Sequence, residues 1–252
     1  MESLYLAPLI FTAIAFVFSM LGMGGSQLYI PILFWLGMDF KSEAIPLGML
    51  LNVVNSTSAA IVYARRKLID WKVALPFGIM MVLCAPVGTW ANISLPTKPV
   101  ILIFAIFTTA AAILMLSGWK PKRGRLSEGQ RVILGIVAGS ALGFFAGLIG
   151  RGGGSFVVPL LYIAGLDPKA AAATSAMVVT CSGTSSFISH IATAANPNWT
   201  IWILCTIGVL IGSNTGSRFM AKRLNPRLVK IFFGTVLLGV ALLLIVKDVL
   251  LT

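Results

Sequence analysis

Two segments place clustered glycines beside a polar or charged side chain inside otherwise apolar sequence: Leu21-Gly-Met-Gly-Gly-Ser-Gln27 and Ile149-Gly-Arg-Gly-Gly-Gly-Ser155. Glycine takes positive φ readily and lets other groups approach the backbone, so a helix can stop there and the next can start with unpaired N–H groups. Such N–H groups suit a small oxyanion. Gly24, Gly25, Gly152, Gly153 and Gly154 would supply that backbone, with Gln27 and Ser155 as side-chain donors just inside the following helices. Arg151 is the only charged residue in either break, and no acid lies mid-run to neutralise it, so a bound anion would serve as its counter-charge. The competing readings are close helix packing for the glycines and snorkelling to headgroups for the arginine.

A second polar concentration lies in the middle of two apolar runs: Asn52, Asn55, Ser56, Thr57 and Ser58 in one, and Thr180, Ser182, Thr184, Ser185 and Ser186 in the other. As a pair of clusters they could line a hydrophilic pathway, with Asn55 and Thr184 as neutral donors near the helix centres; singly, each hydroxyl can simply bond a helix carbonyl. His190, the single histidine, follows Ser186 by one turn. A Ser186/His190 catalytic pair is the weaker reading, because no carboxylate is available to orient the imidazole. A packing or proton-coupling role for His190 is the alternative.

These residues need long apolar elements around them. The 252-residue chain is 58% hydrophobic and 10% charged, with a mean hydropathy of +0.97. That surface cannot be a water-soluble one, and long Ala/Leu/Ile runs favour helices over a barrel. The net charge of +12 lies in short clusters between runs, not on a solvated basic face, so it reports membrane topology and not nucleic acid. Cys84, Cys181 and Cys205 are isolated and make neither a disulfide framework nor a metal site. No nucleotide or other cofactor motif is visible, so protons, sodium, the membrane potential or a separate subunit must supply any driving force.

Apolar runs are expected at about 4–21, 24–38, 43–63, 72–94, 98–118, 131–149, 154–166, 170–194, 199–220 and 226–250, the second and seventh being too short to span. Sliding the sequence by 128 positions superposes its halves: Gly22, Gly24, Gly25, Pro31, Gly37 and Asp39 fall on Gly150, Gly152, Gly153, Pro159, Gly165 and Asp167. The chain therefore reads as a first membrane repeat (1–118), a basic linker (119–131) and a second membrane repeat (132–252). Arg65, Arg66, Lys67 and Lys72, the linker cations, and Arg218, Lys222, Arg223, Arg227 and Lys230 should all be cytoplasmic. The equivalent of the first cluster, 192–199, is uncharged, so equivalent loops face opposite sides and both termini lie outside. The expected architecture is an all-α polytopic membrane protein of two inverted repeats with glycine-broken or re-entrant short helices, a design suited to a midplane site between rocking halves. Asp39 and Asp167 are expected to cap helix N-termini.

The segments Gly22-Met-Gly-Gly-Ser-Gln-Leu-Tyr-Ile-Pro31 and Gly150-Arg-Gly-Gly-Gly-Ser-Phe-Val-Val-Pro159, the duplicated halves, the basic linker and Ala173-Thr-Ser-Ala-Met177 resemble the TauE/SafE family of sulfite exporter-like permeases over nearly the whole chain. The resemblance implies a carrier in the bacterial cytoplasmic (inner) membrane that exports or moves sulfite or organosulfonates such as sulfoacetate. The expected partners are that small anion, the bilayer and a coupling ion, with homodimerisation left open. The alternatives are a carrier or channel for another small anion and, less favoured, an intramembrane enzyme. Only the second break carries an arginine, so the two need not contact substrate alike.

Overall fold

The computed structural model describes residues 6–117, 126–150, 154–192, 194–195, 197–223, 235, 238–239, 241–242 and 245–246. The central linker, apart from its last residues, lies outside them. All regular secondary structure among the described residues is helical, without a strand. In order they form α1 (Ala7–Leu21), α2 (Ser26–Trp35), a π-helical turn (Phe40–Ala44) running into α3 (Ile45–Arg65), α4 (Trp71–Ser94), α5 (Thr97–Leu116), α6 (Glu128–Ile149), α7 (Gly154–Ile163), α8 (Pro168–Ile191) and α9 (Trp199–Arg223).

Local chemistry sets these boundaries. α1 and α6 stop at Gly22 and Gly150, both left-handed with φ of 66° and 65°. The Asp39 carboxylate accepts from the N–H groups of Lys41 and Ser42, and Asp167 accepts from Lys169 and Ala170, so both act as the expected caps. Ser127 and Gln130 form a capping box at the start of α6. At the 128-residue offset α2 and α7 coincide end to end, and the turns after them use Gly37 and Gly165 at φ of 96° and 88°.

Packing between the repeats is an exchange. On α6, Gly135, Gly139, Gly143 and Gly147 lie against Pro76–Phe77, Phe77–Met80, Met81 and Ala85–Thr89 of α4, so the two helices run parallel. On α9, Gly208, Gly212 and Gly216 lie against Pro8, Thr12 and Phe16 of α1 in the same sense. A Cβ on Gly88 would overlap the Phe144 carbonyl, and one on Gly216 the Phe16 carbonyl; these are the same contact in each repeat. Without a hydrophobic drive inside lipid, this backbone-to-backbone approach supplies the packing. The first helix of each repeat thus sits on the fourth helix of the other.

The remaining contacts fix the inversion. α8 runs parallel to α4, since the Asp70 N–H at the start of α4 donates to Thr174 Oγ1 (3.0 Å) and Ser185 Oγ further along α8 donates to the Val82 carbonyl (2.8 Å). α8 therefore runs antiparallel to α3, which it crosses where Gly183 meets Asn52 and Val53. α3 and α8 are equivalent helices, so their opposed directions turn the second repeat upside down relative to the first.

The short helices are re-entrant. Lys41, at the start of the π-helical turn, donates to the Leu95 carbonyl (2.6 Å) just beyond α4, so α3 begins at the end of the molecule where α4 finishes. α2 begins beside Asn52, in the middle of α3, and its ten residues lead back toward that same end. α1 and α2 make a hairpin, and by the repeat so do α6 and α7. Six described helices, α3 with its preceding turn, α4, α5, α6, α8 and α9, are long and apolar enough to cross a membrane. Outward-facing Leu75, Ile79, Ile133, Val137, Ile203 and Ile207 suit lipid, and the equivalent Trp71 and Trp199 stand exposed at opposite ends, as interfacial anchors do.

Candidate functional site

The first break is held by α3. Gly24 adopts φ +70°, and its backbone passes so close to the Asn52 side chain that a Cβ would overlap Asn52 Oδ1. Asn52 Oδ1 accepts from the Gly25 N–H (3.0 Å) and the Ser26 N–H (3.4 Å), taking the first free donors of α2. Those two donors fix the orientation of the amide, because Nδ2 could not accept them. Asn55 Nδ2 donates to the Gly24 carbonyl (2.9 Å) and contacts Tyr29 Oη (3.3 Å). The asparagines one turn apart on α3 therefore clasp the break from both its N–H and its C=O side, and both are fully buried.

The α1 end of the same break is held by the other elements. Ser175 Oγ of α8 donates to the Gly22 carbonyl (2.7 Å), and Tyr63 Oη of α3 donates to the Ser19 carbonyl (2.6 Å). In the second repeat His190 Nε2 bonds the Gly147 carbonyl (2.7 Å) and Asn92 Nδ2 donates to the Leu148 carbonyl (2.6 Å). Ser19 and Gly147 are equivalent, so Tyr63 and His190, from the ends of equivalent helices, bind the same carbonyl of each repeat.

The two breaks meet. Ser155 Oγ donates to Gln27 Oε1 in a buried contact between equivalent residues, which sets the internal pseudo-two-fold beside them. Gly154, the first residue of α7, lies against the Met23 backbone, where any side chain would collide. The structure thus brings together Gly24, Gly25, Gln27, Asn52, Asn55, Gly154 and Ser155. Arg151, Gly152 and Gly153 lie outside the described residues.

Other expected site residues stand apart. Thr180 Oγ1 donates to the Ala176 carbonyl and Thr184 Oγ1 to the Thr180 carbonyl (both 2.8 Å), so both hydroxyls bond back into their own helix. His190 is buried at the far end of α8 against α6, away from the breaks' meeting point. Ser186 Oγ makes no hydrogen bond among the described residues, so a Ser186–His190 pair is not assembled.

Two buried donors stay available, one on α3 where Gly183 of α8 crosses it and one a turn further along α8. Asn52 Nδ2 and Ser186 Oγ are buried without a hydrogen-bond partner among the described residues. Buried donors left unmade cost free energy that a ligand can recover. Ser175 and Tyr63 were missed from sequence: both hold break carbonyls, yet neither has an equivalent in the other repeat that would have flagged it.

Residues 7–244 match the family model described as "Sulfite exporter TauE/SafE". A "Probable membrane transporter protein" of Xylella fastidiosa (strain Temecula1) is 27% identical over 248 residues, covering 93% of this chain and 92% of the relative. The "Probable membrane transporter protein YunE" of Bacillus subtilis is 24% identical over 240 residues, covering 84% and 87%. One from Methanocaldococcus jannaschii is 25% identical and covers 94% of each chain. No solved structure matches.

Proposed function

The chain belongs to the sulfite exporter TauE/SafE family and is a membrane transporter, and from that premise we propose that it is a secondary carrier exporting a small sulfur-containing anion, sulfite or an organosulfonate such as sulfoacetate. The observation that carries the reading is the buried contact of Gln27 with Ser155, which joins the two breaks at the repeat axis. An anion at that junction would take its hydrogen bonds from Asn52 Nδ2 and Ser186 Oγ, donors with no other described partner. Neutral amide and hydroxyl donors in low dielectric stabilise an anion strongly. Arg151, three residues before the start of α7, is the proposed counter-charge.

Transport would follow from the inversion. A site on the axis belongs to both halves, so rocking one against the other exposes the same donors to each side in turn. By the positive-inside rule, the end carrying Arg65, Arg66, Lys67 and Lys72 is cytoplasmic, in an inner membrane. A proton or sodium gradient, or the membrane potential, would drive the cycle.

The test is a thermal-shift screen of the detergent-purified protein against sulfite, sulfate, thiosulfate, taurine, sulfoacetate, acetate and chloride. A ligand that binds only the folded state raises its melting temperature. Selective stabilisation by sulfite or a sulfonate, lost in Arg151→Ala, is the expected result. Equal response to chloride and sulfite would contradict a sulfur-anion carrier.

A further inference from the structure

The outer surface carries a second feature that anion transport does not use. Between α4 and α8 runs an apolar groove of about 170 Å³, lined by Trp71, Leu75, Gly78 and Ile79 on one side and Met177 and Cys181 on the other. Gly78 creates it: with no side chain there, the α4 backbone faces Cys181 directly, and a Cβ would sit 3.3 Å from its Sγ. Leu75 and Ile79 are more than half exposed along its rim, so the groove opens onto lipid.

The groove starts at Trp71, immediately after the α3–α4 turn. That turn carries Arg65, Arg66 and Lys67 in sequence, all exposed, with Lys67 in the left-handed region at φ 55°. Neighbouring cations are already engaged: Lys72 pairs with Glu128 (2.6 Å) and Arg131 lies 3.7 Å from Asp70. The three turn residues have no acidic partner among the described residues. Lys169, exposed two turns before Met177 on α8, stands at the same end, because α4 and α8 run parallel.

We propose that this groove is a binding site for one anionic phospholipid, with an acyl chain lying along Gly78 and Cys181 and the headgroup phosphate held by Arg65, Arg66 and Lys67. The bilayer offers the acyl chain, and unpaired cations at the groove's mouth select the headgroup by charge. Trp71 sits at the junction of the two, where an aromatic ring suits the headgroup level. A diffuse basic surface would also attract anionic lipid, but it would be indifferent to the shape of α4.

The test is native mass spectrometry of the detergent-released full chain with dioleoyl phosphatidylglycerol or dioleoyl phosphatidylcholine. Retention of the anionic lipid should exceed that of the zwitterionic one by about tenfold. The triple substitution Arg65→Gln, Arg66→Gln, Lys67→Gln should remove the preference. Ile79→Trp, which fills the groove without touching any charge, should reduce phosphatidylglycerol retention as well. Leu75→Trp repeats that arm should Ile79→Trp fold poorly, judged by melting in lipid-free detergent. Equal retention of the two lipids, or a preference that survives either the charge or the groove substitution, would overturn the site.

Discussion

Ser155 donates a hydrogen bond to Gln27, and these two residues hold the same position in the two repeats. Equivalent residues can touch only where the symmetry axis passes between them, so this contact marks the structural centre. The side chains that hold the first break have no counterparts at the same positions of the second repeat. The first is clasped by Asn52 and Asn55, whose equivalents are Thr180 and Gly183; Thr180 bonds its own helix, and Gly183 has no side chain. Duplication built the scaffold, and unequal substitution made the two sides chemically different.

That contact should behave as an energetic pair. Gln27→Ala and Ser155→Ala each remove a buried hydrogen bond in low dielectric, so each should destabilise the protein by about 1–3 kcal/mol. In the double mutant the two losses should sum to more than is observed, by about 0.5–1.5 kcal/mol. Melting of the four proteins in one detergent measures the cycle; strict additivity would show that the residues are not coupled.

Glycines at positive φ separate into two kinds. At Gly24 a Cβ would meet both backbone strain and the Asn52 side chain, whereas at Gly37, φ 96°, it would meet no atom within 4 Å. Gly37→Ala should cost about 1 kcal/mol of strain alone, and Gly24→Ala at least about twice that. Comparable melting temperatures for the two variants would contradict the clasp by Asn52.

The exchanged helix pairs should be equally sensitive to bulk. Gly147→Leu would force α6 from Ala85 and Thr89 of α4, and Gly216→Leu would force α9 from Phe16 of α1. Both should abolish a monodisperse peak in size-exclusion chromatography, while Gly129→Leu, at a position open on all sides, should leave the peak intact. A well-folded Gly147→Leu protein would refute close α4–α6 packing.

Asp39 sets an acid limit. Partial burial alone would push its carboxyl up, but hydrogen bonds from the Ser42 hydroxyl and from the N–H groups of Ser42 and Lys41 outweigh that and hold it below its ordinary value. A carboxyl depressed in the folded state stabilises above its unfolded pKa of about 3.9 and loses that contribution as pH falls through the lower folded value. The melting temperature of wild type should therefore fall more steeply than that of Asp39→Asn below about pH 4. Parallel curves would show that the cap is not linked to pH.

Much of the fold was legible because duplication leaves an unambiguous trace. The 128-residue offset located both breaks, both short helices and both aspartate caps, and the uncharged counterpart of the Arg65–Lys67 cluster pointed to inversion. The spacing of Gly135, Gly139, Gly143 and Gly147 was equally available as a close-packing stripe, but nothing in one sequence says which helix a stripe faces. Side-chain destinations were less legible. Thr180 and Thr184 looked like lining residues until their hydroxyls were seen to bond the preceding turn, a choice that depends on rotamers and not on residue type. His190 likewise finds its partner, the Gly147 carbonyl, 43 residues away.

The most direct test of the central claim is sulfite flux from proteoliposomes containing Asn52→Asp. The substitution keeps an oxygen to accept from the Gly25 and Ser26 N–H groups, so the break stays capped, but it replaces the buried Nδ2 donor with a second acceptor that repels an anion. An anion site beside the Gln27–Ser155 contact predicts a folded protein with sulfite flux at the level of empty liposomes. Wild-type flux through Asn52→Asp would place the substrate elsewhere and contradict the account.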